Sequence, residues 1–362
     1  MDVVMKFHFH LRPYEVPFKQ EFLTSRTATV LRRGLFVIAE SEDGIRGAGE
    51  IAPLEHFSDE SLETAKAAAE ALSRRLDNTD VPRDISRLTS FLEECVDGSL
   101  PPSVIFGFET AVSDAISRSK GMPLAQLVDP GFTRQVPVNA VMSGYTDSID
   151  RHNLAGFTAV KIKVGAASVD EDILRIQAAR DALGGDVSIR IDANRAWDFE
   201  SAAFALSQMR DLRIEYVEEP LQESELSRFD ELFSGCAVPI ALDETVRDRD
   251  MFQRLIKLDA VTTVVIKPTV LGGIARSREL IDHAHKFGKK AVVTSTLETG
   301  IGIAACLHLA ASLGERVLPC GFDTLRYLTD SLIEESLIIS DGRMAIPEAP
   351  GLGVTLRPGP AQ

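Results

Sequence analysis

The sequence has little cysteine, no long apolar run and no excess of positive charge, and each absence excludes a class of protein. Its four cysteines, Cys95, Cys236, Cys306 and Cys320, are scattered, without the paired spacing of zinc sites, redox motifs or disulfide frameworks. No apolar run approaches the roughly 20 residues that a membrane-spanning helix needs. Lysine and arginine number 39 against 54 acidic residues, and the formal net charge of −15 argues against binding to a nucleic-acid backbone.

What is present is the composition of an ordinary folded protein. Hydrophobic residues make up 44% of the 362 positions and charged residues 26%, which is typical of a globular chain. The length allows two domains or one large domain. The first residues include an acid, Asp2, and lack the apolar centre of a signal peptide, so we expect a cytoplasmic protein with no membrane partner.

The N-terminal region, residues 1–132, mixes strand and helix signals and is predicted to form an α+β domain. Leu35–Ala39 is a short β-type run, and Ser41–Gly44 is a turn cluster that can close a hairpin. Leu62–Leu76 is rich in alanine and leucine, and Ser103–Ser119 carries apolar residues at helical spacing. Taken alone, this region predicts a small domain that packs helices against a sheet.

Residues 133–324 change to short apolar runs that alternate with helical patterns. This alternation predicts βαβ units and a parallel sheet, and eight runs fit a (β/α)8 TIM-type barrel. A doubly wound open sheet is the competing architecture, but no glycine-rich phosphate fingerprint follows the first run. The runs are Val136–Met142, Ala159–Val164, Val187–Asp192, Ile214–Glu218, Pro239–Asp243, Val261–Lys267, Lys290–Ser295 and Val317–Cys320.

The tail, residues 325–362, returns to β character. Leu337–Ile339 and Met344–Ile346 flank the turn Ser340–Gly342, which is typical of a hairpin. Barrel strands do not end in this way, so we expect the tail to pack back onto the N-terminal domain. The predicted fold is therefore a modified barrel, capped by an α+β domain built from both ends of the chain.

Ionisable residues stand at the ends of five successive predicted barrel strands, each about one βα unit from the next. They are Lys163, Asp192, Glu218, Asp243 and Lys267. Because the carboxyl ends of barrel strands converge on one mouth, these groups should lie around a common site. Any one acid alone is better explained as the N-cap of the following helix. Lys161 shares a strand face with Lys163, and in isolation this pair would indicate solvated lysines on an edge strand.

Three converging carboxylates repel one another and demand a cation. Oxygen ligands without histidine or cysteine favour Mg²⁺, with Mn²⁺ as the alternative, so Asp192, Glu218 and Asp243 are the predicted metal ligands. Lys163 can act as a base because the positive charges of Lys161 and the metal favour its neutral form. Lys267 supplies an opposing cation. The residues predict metal-assisted removal of a proton α to the carboxylate of a small-molecule substrate.

Together, the motifs resemble those of the enolase superfamily, in its muconate-lactonising-type subgroup. The matching segments are Lys161–Lys163, Asp192–Asn194, Glu218–Pro220, Asp243–Glu244 and Ile266–Pro268. Finer features are similar to the o-succinylbenzoate synthase family of menaquinone-pathway dehydratases. These features are Gly49–Leu54 with Phe57 and Ser58, Asp192–Trp197, and Thr294–Gly302.

The resemblance implies the dehydration of 2-succinyl-6-hydroxycyclohexa-2,4-diene-1-carboxylate, a carbon–oxygen lyase reaction. Lys163 would take the proton, Lys267 would stabilise the intermediate from the opposite face, and Glu219 and Glu244 would support the metal ligands. The expected substrate contacts are Asn194, Ser295, Thr296 and Leu297.

Three other functions stay open. Related enzymes with the same two lysines racemise N-acylamino acids or epimerise dipeptides. A Schiff-base aldolase would use Lys163 or Lys267 without a metal. A non-catalytic binding barrel would keep the fold alone. The sequence leaves the oligomeric state undetermined.

Overall fold

A computed structural model describes residues 4–23, 28–54, 57–142 and 154–358 of the chain. Within these residues no helix has the length and apolar character required to cross a bilayer. The elements of the N-terminal domain are β1 (Val4–Met5), β2 (Phe7–Leu23), β3 (Ala28–Ser41), β4 (Arg46–Ile51), α1 (Leu62–Leu76), β5 (Val81–Pro82), α2 (Leu88–Glu94), α3 (Pro102–Ser119) and α4 (Leu124–Val128).

The N-terminal domain is an antiparallel sheet in the order β2-β3-β4, with helices packed against it. Alternate apolar residues of the strands, such as Phe9 and Val37, bury one face of the sheet against α1 and α3. Gly49 of β4 lies so close to α3 that an added Cβ would stand 1.8 Å from the carbonyl oxygen of Gly107. The predicted α+β domain and its two helices are confirmed.

The barrel region continues with β6 (Gln135–Pro137), β7 (Ala140–Met142), β8 (Ala159–Lys163), α5 (Val169–Leu183), β9 (Ser188–Asp192), α6 (Phe199–Gln208), β10 (Ile214–Glu218), α7 (Phe229–Cys236), β11 (Ile240–Leu242), α8 (Arg249–Leu255), β12 (Val261–Ile266), α9 (Pro268–Leu271), α10 (Ile274–Lys286), β13 (Lys290–Val293) and α11 (Gly300–Ala311). Strands β7 to β13 form one parallel sheet in chain order. Aliphatic residues such as Val160 and Ile162 join the main core. The predicted TIM-type architecture is confirmed.

Two of the eight predicted strands differ from the expectation. The run Val136–Met142 divides into β6 and β7, which belong to different sheets. The run Val317–Cys320 forms no strand. Single bridges from Cys320 to Val138 and from Gly321 to Thr294 connect the two ends of the seven-stranded sheet instead. Among the described residues, the barrel therefore closes through Cys320 and Gly321, and two isolated bridges produce no periodic signal in the sequence.

The tail forms the predicted hairpin from β14 (Ile339–Ser340) and β15 (Arg343–Ala345). β15 pairs with β6, so that the hairpin and β6 form a three-stranded sheet separate from both the barrel sheet and the N-terminal sheet. The flanking tail residues do contact the N-terminal domain, as expected. Leu328 bridges Phe18, and the N–H of Leu352 donates to the carboxylate of Asp114.

Candidate active site

The predicted ladder of ionisable side chains stands at the carboxyl end of the parallel sheet. Lys163 of β8 is the register partner of Asp192 on β9, and Asp192 is the partner of Glu218 on β10. Asp243 follows β11 directly, and Lys267 follows β12. The three carboxylates are buried, so each must find a partner inside the protein.

Two lysines supply these partners. The Nζ of Lys161 lies 2.9 Å from Oδ2 of Asp192 and 2.8 Å from Oε2 of Glu218. Lys267 forms an ion pair with Asp243. Burial opposes the charged form of both lysines, but the neighbouring carboxylates outweigh burial and raise the pKa of Lys161 and of Lys267. Both side chains are therefore ammonium ions at neutral pH.

Lys163 has a different environment. Its Nζ donates to Oδ1 of Asn194 at 3.4 Å, and Nδ2 of Asn194 in turn donates to Glu244 at 3.1 Å. Burial lowers the pKa of Lys163, and the positive charges of Lys161 and Lys267 lower it further, against the attraction of Asp192. Lys163 is thus the lysine of the three that can most readily be neutral and accept a proton.

The carboxylates carry more negative charge than this site can easily hold. Burial and repulsion from Asp192 raise the pKa of Glu218 well above its usual range, although Lys161 opposes the shift. Burial and repulsion from Asp243 raise the pKa of Glu244 to about 7. Oε2 of Glu244 is buried and, among the described residues, has no hydrogen-bond partner. A further cation at this end of the barrel would relieve these costs.

The donor set therefore fits a hard divalent cation. Asp192, Glu218 and Asp243 offer oxygen ligands of the kind that Mg²⁺ prefers. In the described part of the chain, no group of three or more His, Cys, Asp or Glu side chains lies close enough together to hold a metal ion as the structure stands. The ammonium groups of Lys161 and Lys267 already pair with the three carboxylates. A bound ion would therefore share these carboxylates with the two lysines.

Glu219 turns away from the other acids and holds the backbone that follows β11. Its Oε1 accepts the N–H groups of Asp243 at 3.0 Å and Thr245 at 2.8 Å. Its Oε2 accepts from Nε of Arg195 at 3.1 Å. Glu219 itself has a left-handed φ of 40°, which lets the chain turn sharply after Glu218. These contacts fit the predicted supporting position.

A cavity of about 320 Å³ opens above the ladder and brings most of the predicted site residues together. Those that line it are Lys161, Lys163, Lys267, Asp192, Asn194, Glu218, Glu244, Ser295, Thr296 and Leu297. Asp243 instead lines a small cavity that Phe57 and Lys267 also line. Glu219 is buried beside the site without lining the large cavity.

Sequence reasoning assigned no role to the N-terminal residues that form the roof of the cavity. Leu54 and Phe57 line it, and the ring centroid of Phe57 lies 4.2 Å from Nζ of Lys267. Arg247 of the barrel donates to the carbonyl oxygen of Phe57 at 3.0 Å. Leu54 and Phe57 belong to the segment that resembles the o-succinylbenzoate synthase family, Gly49–Leu54 with Phe57 and Ser58. This resemblance was the signal that could have identified them, because strand and helix periodicity does not show that their side chains face the cavity.

Comparison with known proteins covers both parts of the chain. Residues 145–359 match the family model described as enolase C-terminal domain-like, and residues 7–115 match the one described as MenC, N-terminal domain. An o-succinylbenzoate synthase of Photorhabdus laumondii is 33% identical over 303 residues, which cover 82% of this chain and 84% of the relative. An N-succinyl-L-Arg/Lys racemase of Bacillus cereus is 27% identical over 314 residues, covering 84% and 83%.

A solved structure extends the similarity to the whole fold. A dipeptide epimerase from Enterococcus faecalis, complexed with Mg and the dipeptide L-Leu-L-Tyr, is similar with a TM-score of 0.87 and 25% identity. The match covers 98% of this chain and 100% of that one. The arrangement of barrel and N-terminal domain is thus shared with a protein that binds a small molecule.

Proposed function

The chain belongs to the enolase superfamily, and on that premise we propose that it is an o-succinylbenzoate synthase. It would dehydrate 2-succinyl-6-hydroxycyclohexa-2,4-diene-1-carboxylate in menaquinone biosynthesis, as a Mg²⁺-dependent carbon–oxygen lyase. The match to the MenC N-terminal domain and the 33% identity to an o-succinylbenzoate synthase support this choice.

The observation that carries the proposal is the unequal environment of the two lysines that flank the acids. Lys163 contacts the neutral amide of Asn194, and burial lowers its pKa. Lys267 is ion-paired with Asp243, whose carboxylate raises its pKa against the effect of burial. A dehydration needs one base and one fixed cation, whereas a racemisation needs a base on each face.

In this mechanism Lys163 accepts the proton α to the substrate carboxylate at its Nζ. Asn194 orients that nitrogen, and Glu244 orients Asn194 through its amide. Hydroxide leaves from the neighbouring carbon, so that the elements of water are lost and the ring becomes aromatic. Lys267, held by Asp243 and covered by Phe57, offers positive charge from the other side of the cavity without moving a proton.

Asp192, Glu218 and Asp243 would hold Mg²⁺ in this scheme. When bound, the ion would supply positive charge that stabilises the electron-rich carboxylate formed as the proton leaves. Glu219 would fix the backbone of Asp243 so that the third ligand is presented at a constant angle.

Racemisation of an N-acylamino acid is the second candidate. Lys267 lines the same cavity as Lys163 and follows a strand separated from β8 by three others, so it faces the substrate from across the mouth. The identity to an N-succinyl-L-Arg/Lys racemase supports this alternative. Racemisation would require Lys267 to leave its ion pair with Asp243 and to lose its proton, so that its neutral amine can act as a base.

The proposal is tested by incubating the protein and Mg²⁺ with the cyclohexadiene and following ultraviolet absorbance as the product becomes aromatic. We expect turnover by the native chain and a loss on the order of 100- to 10,000-fold in Lys163→Ala, because the general base is removed. Lys257→Ala, a change at an exposed lysine outside the site, serves as the matched control and should retain full activity.

The rival reactions give different results in the same set of variants. A racemase would leave the cyclohexadiene unchanged, would wash deuterium from solvent into N-succinylamino acids, and would lose racemisation in both Lys163→Ala and Lys267→Ala. Turnover that persists in EDTA, with borohydride trapping of the substrate on a lysine, would indicate an aldolase. Binding without any turnover would leave a non-catalytic barrel.

A further inference from the structure

Arg32 of the N-terminal domain is a buried arginine with only 2% of its surface exposed, and it reaches into the barrel. Its Nε donates to the carbonyl oxygen of Leu297 at 2.8 Å, and Nη2 donates to that of Thr296 at 3.3 Å. The same guanidinium donates to Pro53 at 2.7 Å and to Ala52. One side chain therefore joins two loops that belong to different domains.

Both loops border the cavity. Thr296 and Leu297 line it from the barrel side, after β13. Ala52 and Pro53 directly precede Leu54, which lines it from the N-terminal side. A planar guanidinium with five donors can satisfy four carbonyls in a fixed arrangement, which an ammonium group cannot do.

The barrel loop needs such a constraint. Leu297 has a φ of 63°, a left-handed conformation that is unfavourable for a leucine and persists only where its surroundings fix it. The carbonyl oxygen of this residue accepts from Nε of Arg32. On the far side of the strained residue, Glu50 accepts the N–H groups of Thr299 at 2.9 Å and Gly302 at 2.8 Å.

We propose that Arg32 is a positioning residue: by holding the carbonyls of Thr296 and Leu297 together with those of Ala52 and Pro53, it sets the shape of the cavity wall that faces the substrate. Arg32 does not line the cavity and so acts through these two loops. The kinetic part of this inference rests on the proposed function, whereas its structural part does not.

Arg180 offers a matched control. Its guanidinium donates to four backbone carbonyls, those of Gly184, Val187, Leu212 and Arg213. These acceptors precede β9 and β10, at the end of the barrel opposite the cavity. Arg180→Met therefore removes a comparable set of hydrogen bonds without touching the wall of the cavity.

The test compares Arg32→Met, Arg32→Lys and Arg180→Met by amide hydrogen exchange and by steady-state kinetics. We expect faster exchange at residues 296–299 and at the amides of Ala52 and Leu54 in Arg32→Met, with a fall in kcat/KM on the order of 100-fold that appears mainly in KM. Arg32→Lys should recover part of the loss. Arg180→Met should show faster exchange at residues 184–187 and unchanged kcat/KM.

Unchanged exchange at residues 296–299 in Arg32→Met, or equal loss of kcat/KM in Arg32→Met and Arg180→Met, would overturn the proposal. If Arg32→Met does not fold, Arg32→Lys decides by the same two measurements. Lack of aromatisation by the native chain would refute the proposed function alone, because the exchange experiment needs no substrate.

Discussion

Replacement of His308 by glutamine should make the stability of this protein less sensitive to acid. His308 lies in α11 and is fully buried. Its Nδ1 accepts the N–H of Ala125 at 3.1 Å, and its Nε2 lies 3.1 Å from the carbonyl oxygen of Leu352. Because a backbone N–H can only donate, the ring proton must be on Nε2, and the neutral imidazole satisfies both contacts.

The size of the effect follows from the pKa. Burial lowers the pKa of His308 from 6.5 to about 4, against the carbonyl of Leu352. Between these two values the unfolded chain binds a proton that the folded chain does not, so the free energy of unfolding falls as the pH falls. The full shift in pKa contributes about 3 kcal/mol to the free energy of unfolding, and about 2 kcal/mol of this contribution is lost between pH 7 and pH 5.

The assay is urea unfolding of the native chain and of His308→Gln at several pH values between 5 and 8. Glutamine does not titrate, so the free energy of unfolding of the variant should fall less than that of the native chain as the pH is lowered. The difference should be about 2 kcal/mol between pH 7 and pH 5. At pH 8 the variant should be less stable by about 1 kcal/mol, because one of the two hydrogen bonds is lost. Parallel pH profiles for the two proteins would refute the reasoning.

Two further variants test the metal ligands and the packing of the N-terminal domain. Asp192→Asn should weaken Mn²⁺ binding at least about tenfold, as measured by electron paramagnetic resonance of the free ion, while Asp186→Asn, the same change at an exposed position before β9, should not; equal affinities would contradict the ligand assignment. Gly49→Ala should cost about 3 kcal/mol or more in thermal or urea unfolding, because its Cβ would overlap the backbone of α3. Gly235→Ala, in an open position on α7, should instead stabilise the chain by about 0.5–1 kcal/mol, and a similar loss in both variants would show that close approach is not the cause.

The sequence was sufficient for the repeating part of the fold. Strand and helix alternation located β8 to β13 because each of these strands is followed by at least one helix. The acids and lysines at the strand ends could also be found from the sequence. They recur about once per βα unit, and this spacing places them together at the carboxyl end of the barrel. The closure through Cys320 and Gly321 could not be found, because isolated bridges impose no side-chain period.

The details of the site depended on contacts that spacing does not encode. Lys161 and Lys163 share one face of β8, yet one is ion-paired with two acids and the other donates to the amide of Asn194. Asp243 had the same strand-end position as Asp192, but it lies in the small adjoining cavity. Its backbone N–H donates to Glu219 and its carboxylate pairs with Lys267, and neither contact follows from the length of a βα unit.

Buried ionisable side chains that pair with backbone groups of the other domain explain why the cavity could not be derived from either domain alone. Arg32 is satisfied by carbonyls of the barrel loop, and Glu50 by N–H groups at the start of α11. Glu109 of α3 accepts the N–H of Ala275 at 3.0 Å and that of Ile274, and so caps α10 from the other domain. A buried charge left without these partners would cost about 1–3 kcal/mol or more. The N-terminal domain is therefore part of the structure that holds the barrel loops in place, because the backbone groups which shape the mouth are paired across the boundary.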